Sequence, residues 1–520
     1  MVASLLALGE VAQAQPEGSM VPPVEELPST EPAAEPPVPI DDPVPTAAPV
    51  APMPPPVAPP VVVVAVPTEP PPVAAPARAG GLRFGSYGRV HAGSDLRGGK
   101  PEPVGVVAYR PRVVEPSYLE LDFGYDHVTP SGRALRTVAT LAFDDTLFHA
   151  SGEFDAQPAL RNLFAEAELG AGATAWVGSR MYRGDDIYLL DTWPLDDQNT
   201  LGGGARVRRG RLDARAHVGW NRLANDFQFQ EIDVADPAQG ATTVTQLNRQ
   251  RTVASATVGV GLLEGGPTAL SARATAHAEV HHLPSGTRER DDGSPQALPS
   301  DTGVLVGAEL SLWGLADSEA EAAHTTRHLN LFVRYARGLA AFDELRPPTS
   351  FDDELRTQRA SELLLGAGGN WDHRLGTVTL GYLTRRFVDA DRNTADLDDG
   401  WEHVVAVRPL ARVPVGGAGP SPLSVGADLS YQVRFARGPS ATTGLIADAA
   451  IAQVAPMVVW SPMGPSAFAR PQLRLVYRAA YLNDAARDAY VPDDPRGAHA
   501  WVHYLGLQAE WWFNSSTYGP

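Results

Sequence analysis

The sequence predicts an all-β fold: a transmembrane antiparallel β-barrel of about 16–18 strands, with 18 favoured. Three observations predict it. All Phe, Tyr and Trp residues lie at or after Phe84, so the preceding part of the chain cannot build a core. From there on, apolar and polar residues alternate with a period of two in segments of about ten residues. The polar faces carry full charges, whereas the apolar faces often end in aromatic residues, as expected at a lipid interface.

The region before the barrel divides into two parts. Residues 1–14 end in Ala-Gln-Ala, the small-x-small pattern of a secretory cleavage site, and lack the basic start of a complete signal peptide. Of the 48 prolines in the chain, 22 lie between Pro16 and Pro76. We therefore expect a signal peptide with a truncated start at 1–14, a disordered periplasmic linker at 15–83 and the barrel at 84–520.

Two segments illustrate the alternation. In SYLELDFGYDHV, residues 117–128, one face holds Tyr, Glu and Asp while the other holds Leu, Phe and Tyr. In YLGLQAEWWF, residues 504–513, Trp512 shares a face with Glu510, whereas Trp511 lies on the opposite, apolar face. A soluble β-sandwich also alternates, but its strands are usually shorter and carry fewer charges on one face. The barrel is therefore the favoured fold.

One loop, RGDDIYLLDTW at 183–193, combines charged and large apolar residues at high density. A barrel of this size encloses water and is selective only if something narrows it. Ile187, Leu189 and Leu190 can anchor a loop on the inner wall, while its charged residues face the solute. We therefore predict an inward-folded constriction loop, with a solvated external loop as the alternative.

Several segments, in their order and spacing, resemble the maltoporin-like, carbohydrate-specific outer-membrane porins. They are AWVGSRMYRGDDIYLLDTW at 175–193, FGSYGRV at 84–90, YRPRVVEPSYLEL at 109–121, LRNLFAEAEL at 160–169, WEHVVAVRPL at 401–410, ARPQLRLVY at 469–477 and LGLQAEWWF at 505–513. The resemblance implies a homotrimer in the Gram-negative outer membrane, in contact with lipid. It also implies a channel that passes oligosaccharides along an aromatic slide and a flanking polar track.

Sugar chemistry explains that pairing, because pyranose faces stack on aromatic rings and pyranose edges form hydrogen bonds. By resemblance, the slide residues are Tyr87, Tyr118 and Trp512. The same resemblance assigns eight further residues to the polar track and the constriction: Arg89, Arg110, Glu120, Arg161, Arg183, Asp186, Asp191 and Trp193. Phe154 stands beside Glu153, where the family has a slide tryptophan, and Val413 replaces another. These losses favour shorter or different sugars over long maltodextrins.

Other functional classes have weaker support. The chain has no cysteine, its net charge of −19 argues against nucleic acid, and no hydrolase or nucleotide-binding motif is present. His277, Glu279 and His281 alternate on one strand, which is typical of the wet face of a barrel; we predict no metal, cofactor or catalytic site. Two alternatives stay open. One is a porin for anions or phosphorylated solutes, lined by Arg89, Arg110, Arg161, Arg180 and Arg183, and the other is a structural anchor whose Pro-rich arm contacts the cell wall.

Overall fold

The computed structural model describes residues 80–144, 158–223, 228–236, 240–318, 326–343, 346, 348–391, 399–415, 421–440, 443–464, 466–491 and 493–515. The predicted signal peptide and almost all of the predicted linker lie outside these residues, as does Phe154. Within the described residues, no helix has the length and the apolar character needed to cross a membrane.

Eighteen antiparallel strands form one sheet that closes on itself, because the first strand pairs with both the second and the last. They are β1 (Gly81–Ser94), β2 (Tyr118–Val128), β3 (Ala134–Phe143), β4 (Ala159–Gly170), β5 (Ala173–Arg183), β6 (Asp197–Arg209), β7 (Leu212–Asn221), β10 (Arg251–Leu263), β11 (Ser271–Leu283), β14 (Asp301–Trp313), β15 (Arg327–Gly338), β16 (Ser361–His373), β17 (Gly376–Val388), β18 (Gly400–Arg412), β19 (Leu423–Ala436), β20 (Ala449–Trp460), β21 (Gln472–Leu482) and β22 (Trp501–Phe513). The predicted barrel and its favoured strand number are confirmed.

The remaining elements lie in the connections. Two hairpins, β8 (Phe229–Asp236) with β9 (Gly240–Asn248) and β12 (Gly286–Glu289) with β13 (Pro295–Leu298), form separate small sheets. A short helix α1 (Asp484–Asp488) precedes β22, and 3-10 turns occupy Tyr188–Leu190 and Leu339–Phe342.

The two ends of the barrel differ in the length of their connections. Residues 171–172, 210–211 and 374–375 are tight turns at one end, which we call the short-turn end. The opposite end carries long connections such as 95–117, 339–360 and 483–500. Both the start of β1 and the end of β22 lie at the short-turn end, since Ser86 pairs with Phe513.

The period-two pattern decides which side chains face outward. Aromatic residues collect on the outer surface near both ends, as expected for girdles at two lipid interfaces. At the short-turn end, the ring of Phe84 lies 5.6 Å from Phe123 and 6.0 Å from Phe513. At the other end, Tyr481 lies 5.3 Å from Trp501. The charged residues of the same strands point inward, and the buried apolar core lies inside the barrel.

Candidate functional site

The constriction loop, residues 184–196, is a hairpin inside the barrel. The Gly184 N–H donates to the Asp196 carbonyl at 2.8 Å, and the Ile187 N–H donates to the Thr192 carbonyl at 2.9 Å. Between these limbs lies the 3-10 turn Tyr188–Leu190, which ends at Asp191 in the left-handed conformation with φ of 55°. The sequence correctly predicted that this stretch folds inward.

The apolar residues of the hairpin hold it against β16 and β17. Ile187, Leu189 and Leu190 are all buried. Glycines on the wall provide the room: a Cβ on Gly368 would lie 2.9 Å from the Asp186 carbonyl oxygen and 3.1 Å from the Ile187 Cα. Because both of these are backbone atoms, any larger residue at Gly368 would displace the hairpin. The predicted anchoring role of the three apolar residues therefore agrees with their contacts.

A second segment, residues 95–117, also folds into the barrel, which the sequence analysis did not predict. Its Val106 N–H donates to Gln432 Oε1 at 3.0 Å, and its Arg112 N–H donates to the Leu189 carbonyl of the constriction loop at 2.9 Å. Residues 109–121 carry part of the family resemblance, but only Tyr118–Leu121 of them lie in a strand. The prolines at 101, 103, 111 and 116 were the available signal, because proline is excluded from central strands.

A third segment, residues 461–471, enters from the short-turn end. The ring of Phe468 lies 5.3 Å from Tyr188 of the constriction loop and 5.7 Å from His328 on β15. Arg470 Nη2 donates to the Tyr188 hydroxyl at 2.6 Å. The three inward segments therefore meet at Tyr188.

The carboxylate of Glu510 on β22 binds arginines of two inward segments and of the barrel wall. Its Oε1 accepts from Arg112 at 2.9 Å, and its Oε2 accepts from Arg470 at 2.9 Å and from Arg474 at 2.6 Å. All four side chains are nearly excluded from solvent. One carboxylate thus serves three buried guanidinium groups; removing it would leave Arg470 and Arg474 without their carboxylate partner, whereas Arg112 would keep its pair with Glu115.

The three predicted slide residues do lie side by side on the inner wall. The Tyr87 ring is 5.9 Å from Tyr118 and 6.4 Å from Trp512, with which it stacks. The inward segments cover them, however: Tyr87 and Tyr118 are buried, and the Arg470 guanidinium lies 3.8 Å from the centre of the Trp512 ring. Tyr87 and Tyr118 therefore contact protein rather than the open lumen, whereas Trp512 is partly buried.

The predicted track residues divide into two groups. Arg161 donates to Glu120 Oε1 at 2.9 Å beside Tyr118, and Arg89 donates to Glu115 at 2.7 Å. On the constriction loop, the Arg183 guanidinium covers the Trp193 ring at 3.8 Å. Asp186 and Asp191 are also buried in this loop. Burial raises the pKa of Asp186 well above its usual range, and the nearby Asp191 adds to that effect.

The structure does not bring Arg110 to this group. Its side chain packs against Gly105, since a Cβ on that glycine would lie 3.0 Å from the Arg110 Cδ. Arg112, two residues later, is the arginine of this segment that reaches Glu510. Arg110 was assigned by resemblance, and its role in solute binding stays a prediction.

The uncovered part of the lumen lies along β2–β7, whose inward faces we call the open wall. Glu120, Asp122 and Arg161 are buried on this wall, but the charged side chains of three further pairs keep between 15% and 28% of their surface exposed. They form ion pairs across neighbouring strands: Asp126 with Arg136, Glu166 with Arg180, and Arg206 with Asp213. Arg215 pairs with Asp196 at the end of the constriction loop. Asp213, Arg215 and His217 alternate along β7 and share its inward face.

The histidine row on β11 forms an internal hydrogen-bond network. His277 Nε2 and His281 Nε2 each lie 2.8 Å from a different oxygen of Glu279. All three side chains are buried and point into the barrel. Among the described residues, no group of His, Asp and Glu has the arrangement of a metal site.

A closed 18-stranded barrel with charged lumen, aromatic girdles and an inward constriction defines the class of porins of the Gram-negative outer membrane. Residues 82–513 match the sequence model of the LamB porin family, and the chain belongs to this family. No curated protein matches the chain.

Solved structures of similar shape are also outer-membrane proteins. The outer membrane channel DcaP of Acinetobacter baumannii shares 11% identity over 83% of this chain and 98% of that chain, with a TM-score of 0.42. OccD3 of Pseudomonas aeruginosa shares 10% identity over 83% and 91% of the chains, with a TM-score of 0.35. OmpT of Vibrio cholerae, in its trimer form, shares 13% identity over 84% and 100%, with a TM-score of 0.33.

Proposed function

We propose that this protein is a sugar-selective channel for facilitated diffusion of short oligosaccharides, and that the solute passes between the constriction loop and the open wall. The observation that carries the proposal is the composition of that wall. Its partly exposed arginines are each held beside a carboxylate, as in the pairs Glu166–Arg180 and Arg206–Asp213. Such pairs offer hydrogen-bond donors and acceptors at neighbouring positions, which matches the hydroxyl groups of a sugar.

The buried slide residues favour short sugars. A long linear oligosaccharide needs a continuous row of exposed rings, whereas Tyr87 and Tyr118 are buried and Trp512 is partly buried under the Arg470 guanidinium. We propose that these rings support Arg470 and the constriction loop, and that Arg183, Asp186, Asp191 and Trp193 set the size of the aperture. Phe154 lies outside the described residues and remains a predicted contact.

Single-channel recording in planar bilayers tests the proposal. Glucose, maltose, maltotriose and sucrose are added in turn, and the sugar-induced block of the ion current is measured. We expect a concentration-dependent block by at least one of the shorter sugars. Unchanged current with every sugar would contradict the proposal, and absence of any conductance would favour a structural anchor.

An anion channel is the second candidate, and the arginines of the open wall favour it. Arg208 joins Arg206 on the single carboxylate of Asp213, so the wall carries more guanidinium groups than this pairing neutralises. The reversal potential in a salt gradient separates the two candidates. A strongly anion-selective potential together with no sugar block would favour the anion channel.

Assembly as a homotrimer belongs to the same proposal and rests on the resemblance to maltoporin-like porins. Since the apolar faces of the strands are turned outward, we expect a protein that requires detergent and migrates as a heat-sensitive oligomer in gels. Migration as a monomer before and after heating would contradict the trimer.

A further inference from the structure

An aromatic platform lies on the open wall. The Trp176 ring is 6.3 Å from Phe164 and 5.5 Å from Tyr182, and its Nε1 donates to the Tyr182 hydroxyl at 2.7 Å. His217 stacks on Tyr182 at 5.5 Å. The rings fit closely against the wall, because a Cβ on Gly204 would lie 2.7 Å from Trp176 Nε1. The platform is therefore rigid.

Two guanidinium groups stack on this platform. The Arg180 Cζ lies 4.5 Å from the centre of the Phe164 ring and 5.0 Å from that of Tyr182. The Arg215 Cζ lies 5.3 Å from Tyr182. A guanidinium that stacks through its face leaves its N–H groups pointing sideways. The rings below are buried, whereas the side chains of Arg180 and Arg215 keep 21% and 20% of their surface exposed.

Each guanidinium also has a carboxylate beside it. Arg180 Nη1 donates to Glu166 Oε2 at 2.5 Å, and Glu166 is itself partly exposed. Arg215 pairs with Asp196, whose carbonyl closes the base of the constriction loop by accepting from the Gly184 N–H at 2.8 Å. The group therefore lies where the constriction loop leaves the wall.

We propose that Arg180, Glu166 and Arg215, held by the Phe164–Trp176–Tyr182 platform, form a binding subsite for a pyranose ring with adjacent hydroxyl groups. This inference rests on the proposed sugar channel and names the site within it. Arginine N–H groups donate to neighbouring hydroxyl oxygens, while Glu166 accepts from a hydroxyl. Because the platform already fixes the guanidinium groups, little side-chain freedom is lost on binding.

The neighbouring carboxylates favour a neutral sugar over an anion. A solute carboxylate or phosphate at Arg180 or Arg215 would approach Glu166 and Asp196 and be repelled by them. A hydroxyl group has no such penalty, because it both donates and accepts. The subsite is distinct from the Tyr87–Tyr118–Trp512 stack, which contacts the inward segments instead.

The double variant Arg180→Gln with Glu166→Gln tests the subsite. It removes one positive and one negative charge, so the net charge of the lumen is unchanged. Current block is measured in wild type and variant with glucose, maltose and maltotriose. We expect the sugar dissociation constant to rise at least about tenfold, since two charge-assisted hydrogen bonds are lost, while open-channel conductance stays close to that of wild type.

Two control variants make the outcome decisive. Arg209→Gln changes an exposed arginine on the outward face of β6 and should leave sugar block at the wild-type value. Trp512→Ala leaves Arg180, Glu166 and Arg215 in place, so any loss of block that it causes through Arg470 and the constriction loop should be smaller than that of the double variant. Wild-type block in the double variant, with or without its loss in Trp512→Ala, would overturn the subsite but keep the sugar channel. Absence of block in wild type would overturn both.

Discussion

The inner surface of the barrel has two contrasting parts. On the inward faces of β15–β22, which we call the filled wall, the residues around Glu510 and Asp428 expose only 1% to 7% of their side chains. On the open wall, the pairs Asp126–Arg136, Glu166–Arg180 and Arg206–Asp213 expose 15% to 28% of their side chains. The residues beside Tyr118, such as Arg161 and Glu120, are buried as deeply as those of the filled wall. Both walls are built from arginine and carboxylate pairs. Pairs of arginine and carboxylate therefore hold folded loops on the filled wall and face the lumen on the open wall.

Desolvation explains the difference in role. A buried ion pair contributes little beyond the cost of removing its charges from water, but losing one partner is severely destabilising. A partly hydrated pair keeps some solvent contact and can exchange it for the hydroxyl groups of a solute. The filled wall is thus suited to holding the inward segments in one arrangement. The open wall is suited to weak, reversible binding.

Removing one carboxylate from each wall should change the free energy of unfolding by very different amounts. Glu510→Gln would leave Arg112, Arg470 and Arg474 without their shared anion, and we expect a loss of roughly 3–5 kcal/mol in the free energy of unfolding. Glu166→Gln on the open wall should cost less than about 1 kcal/mol, because its pair with Arg180 is partly exposed. Circular dichroism during unfolding in detergent measures both. Equal losses would mean that the two walls do not differ in hydration.

The next comparison concerns two inward-facing glycines. Gly368→Ala on the filled wall would press its Cβ against backbone atoms of Asp186 and Ile187. We expect the hairpin to move into the lumen, with a cost of about 1–3 kcal/mol and a lower single-channel conductance. Gly259→Ala on β10 is the control, because its Cβ would meet nothing nearer than Thr275 Oγ1 at 3.4 Å. If both variants conduct like wild type, the hairpin does not limit the current.

The two walls also differ in how much of their structure the sequence predicts. Alternation predicted the barrel, and the mixture of charged and apolar residues predicted the constriction loop, since both signals are local. The register was recoverable too: Trp512 lies inside and Trp511 outside, where its Nε1 donates to Ser86 Oγ at 3.2 Å. The segments that cover a wall come from distant parts of the chain, so local sequence patterns do not predict them. The burial of Tyr87 depends on segments 95–117 and 461–471, whose irregular backbones leave no periodic signal.

The resemblance has the same limit, because it assigns residues without the segments that cover them. It named Tyr87, Tyr118 and Trp512, whose positions along the strands are correct, but it carries no information on the covering segments. Trp176 and Tyr182 were visible in the alternation of β5. Their meeting depends on Gly178, which has φ of 131°, and on the glycines of β6, so that their rings lie 5.5 Å apart despite their separation along the strand. Spacing alone could not predict that contact.

A smaller effect is expected from pH, at the boundary between the two walls. Burial raises the pKa of Asp191 on the constriction loop to about 6, although Arg112 and Arg89 favour its charged form. Despite burial, Arg112 and Arg89 hold the pKa of the neighbouring Glu115 below its usual value, so Glu115 stays charged in this range. As the pH falls from 7 to 5, Asp191 should gain a proton and the aperture should lose negative charge. The reversal potential should therefore shift slightly toward anions.

The variant Asp191→Asn supplies the control for this titration. Its reversal potential should equal the acidic value of wild type and should not change between pH 7 and pH 5. A shift of wild-type size in Asp191→Asn would assign the titration to another group.

A crosslink between the 461–471 segment and β15 should have almost no effect if the segments that cover the filled wall do not move during conduction. Thr326, before β15, and Ser466, in the 461–471 segment, have their hydroxyl oxygens 3.5 Å apart. A disulfide between cysteines at these positions needs a sulfur separation of about 2 Å, which a small shift allows. The chain has no cysteine of its own, so oxidation would act only on the introduced pair.

Because solute is proposed to pass along the open wall, Thr326→Cys with Ser466→Cys should conduct and bind sugar equally when oxidised and when reduced. Gel mobility without reductant confirms the crosslink, and the two single variants control for oxidation itself. A fall in conductance that appears on oxidation and is reversed by reductant would show that the 461–471 segment moves, and the filled wall would then be part of the pathway.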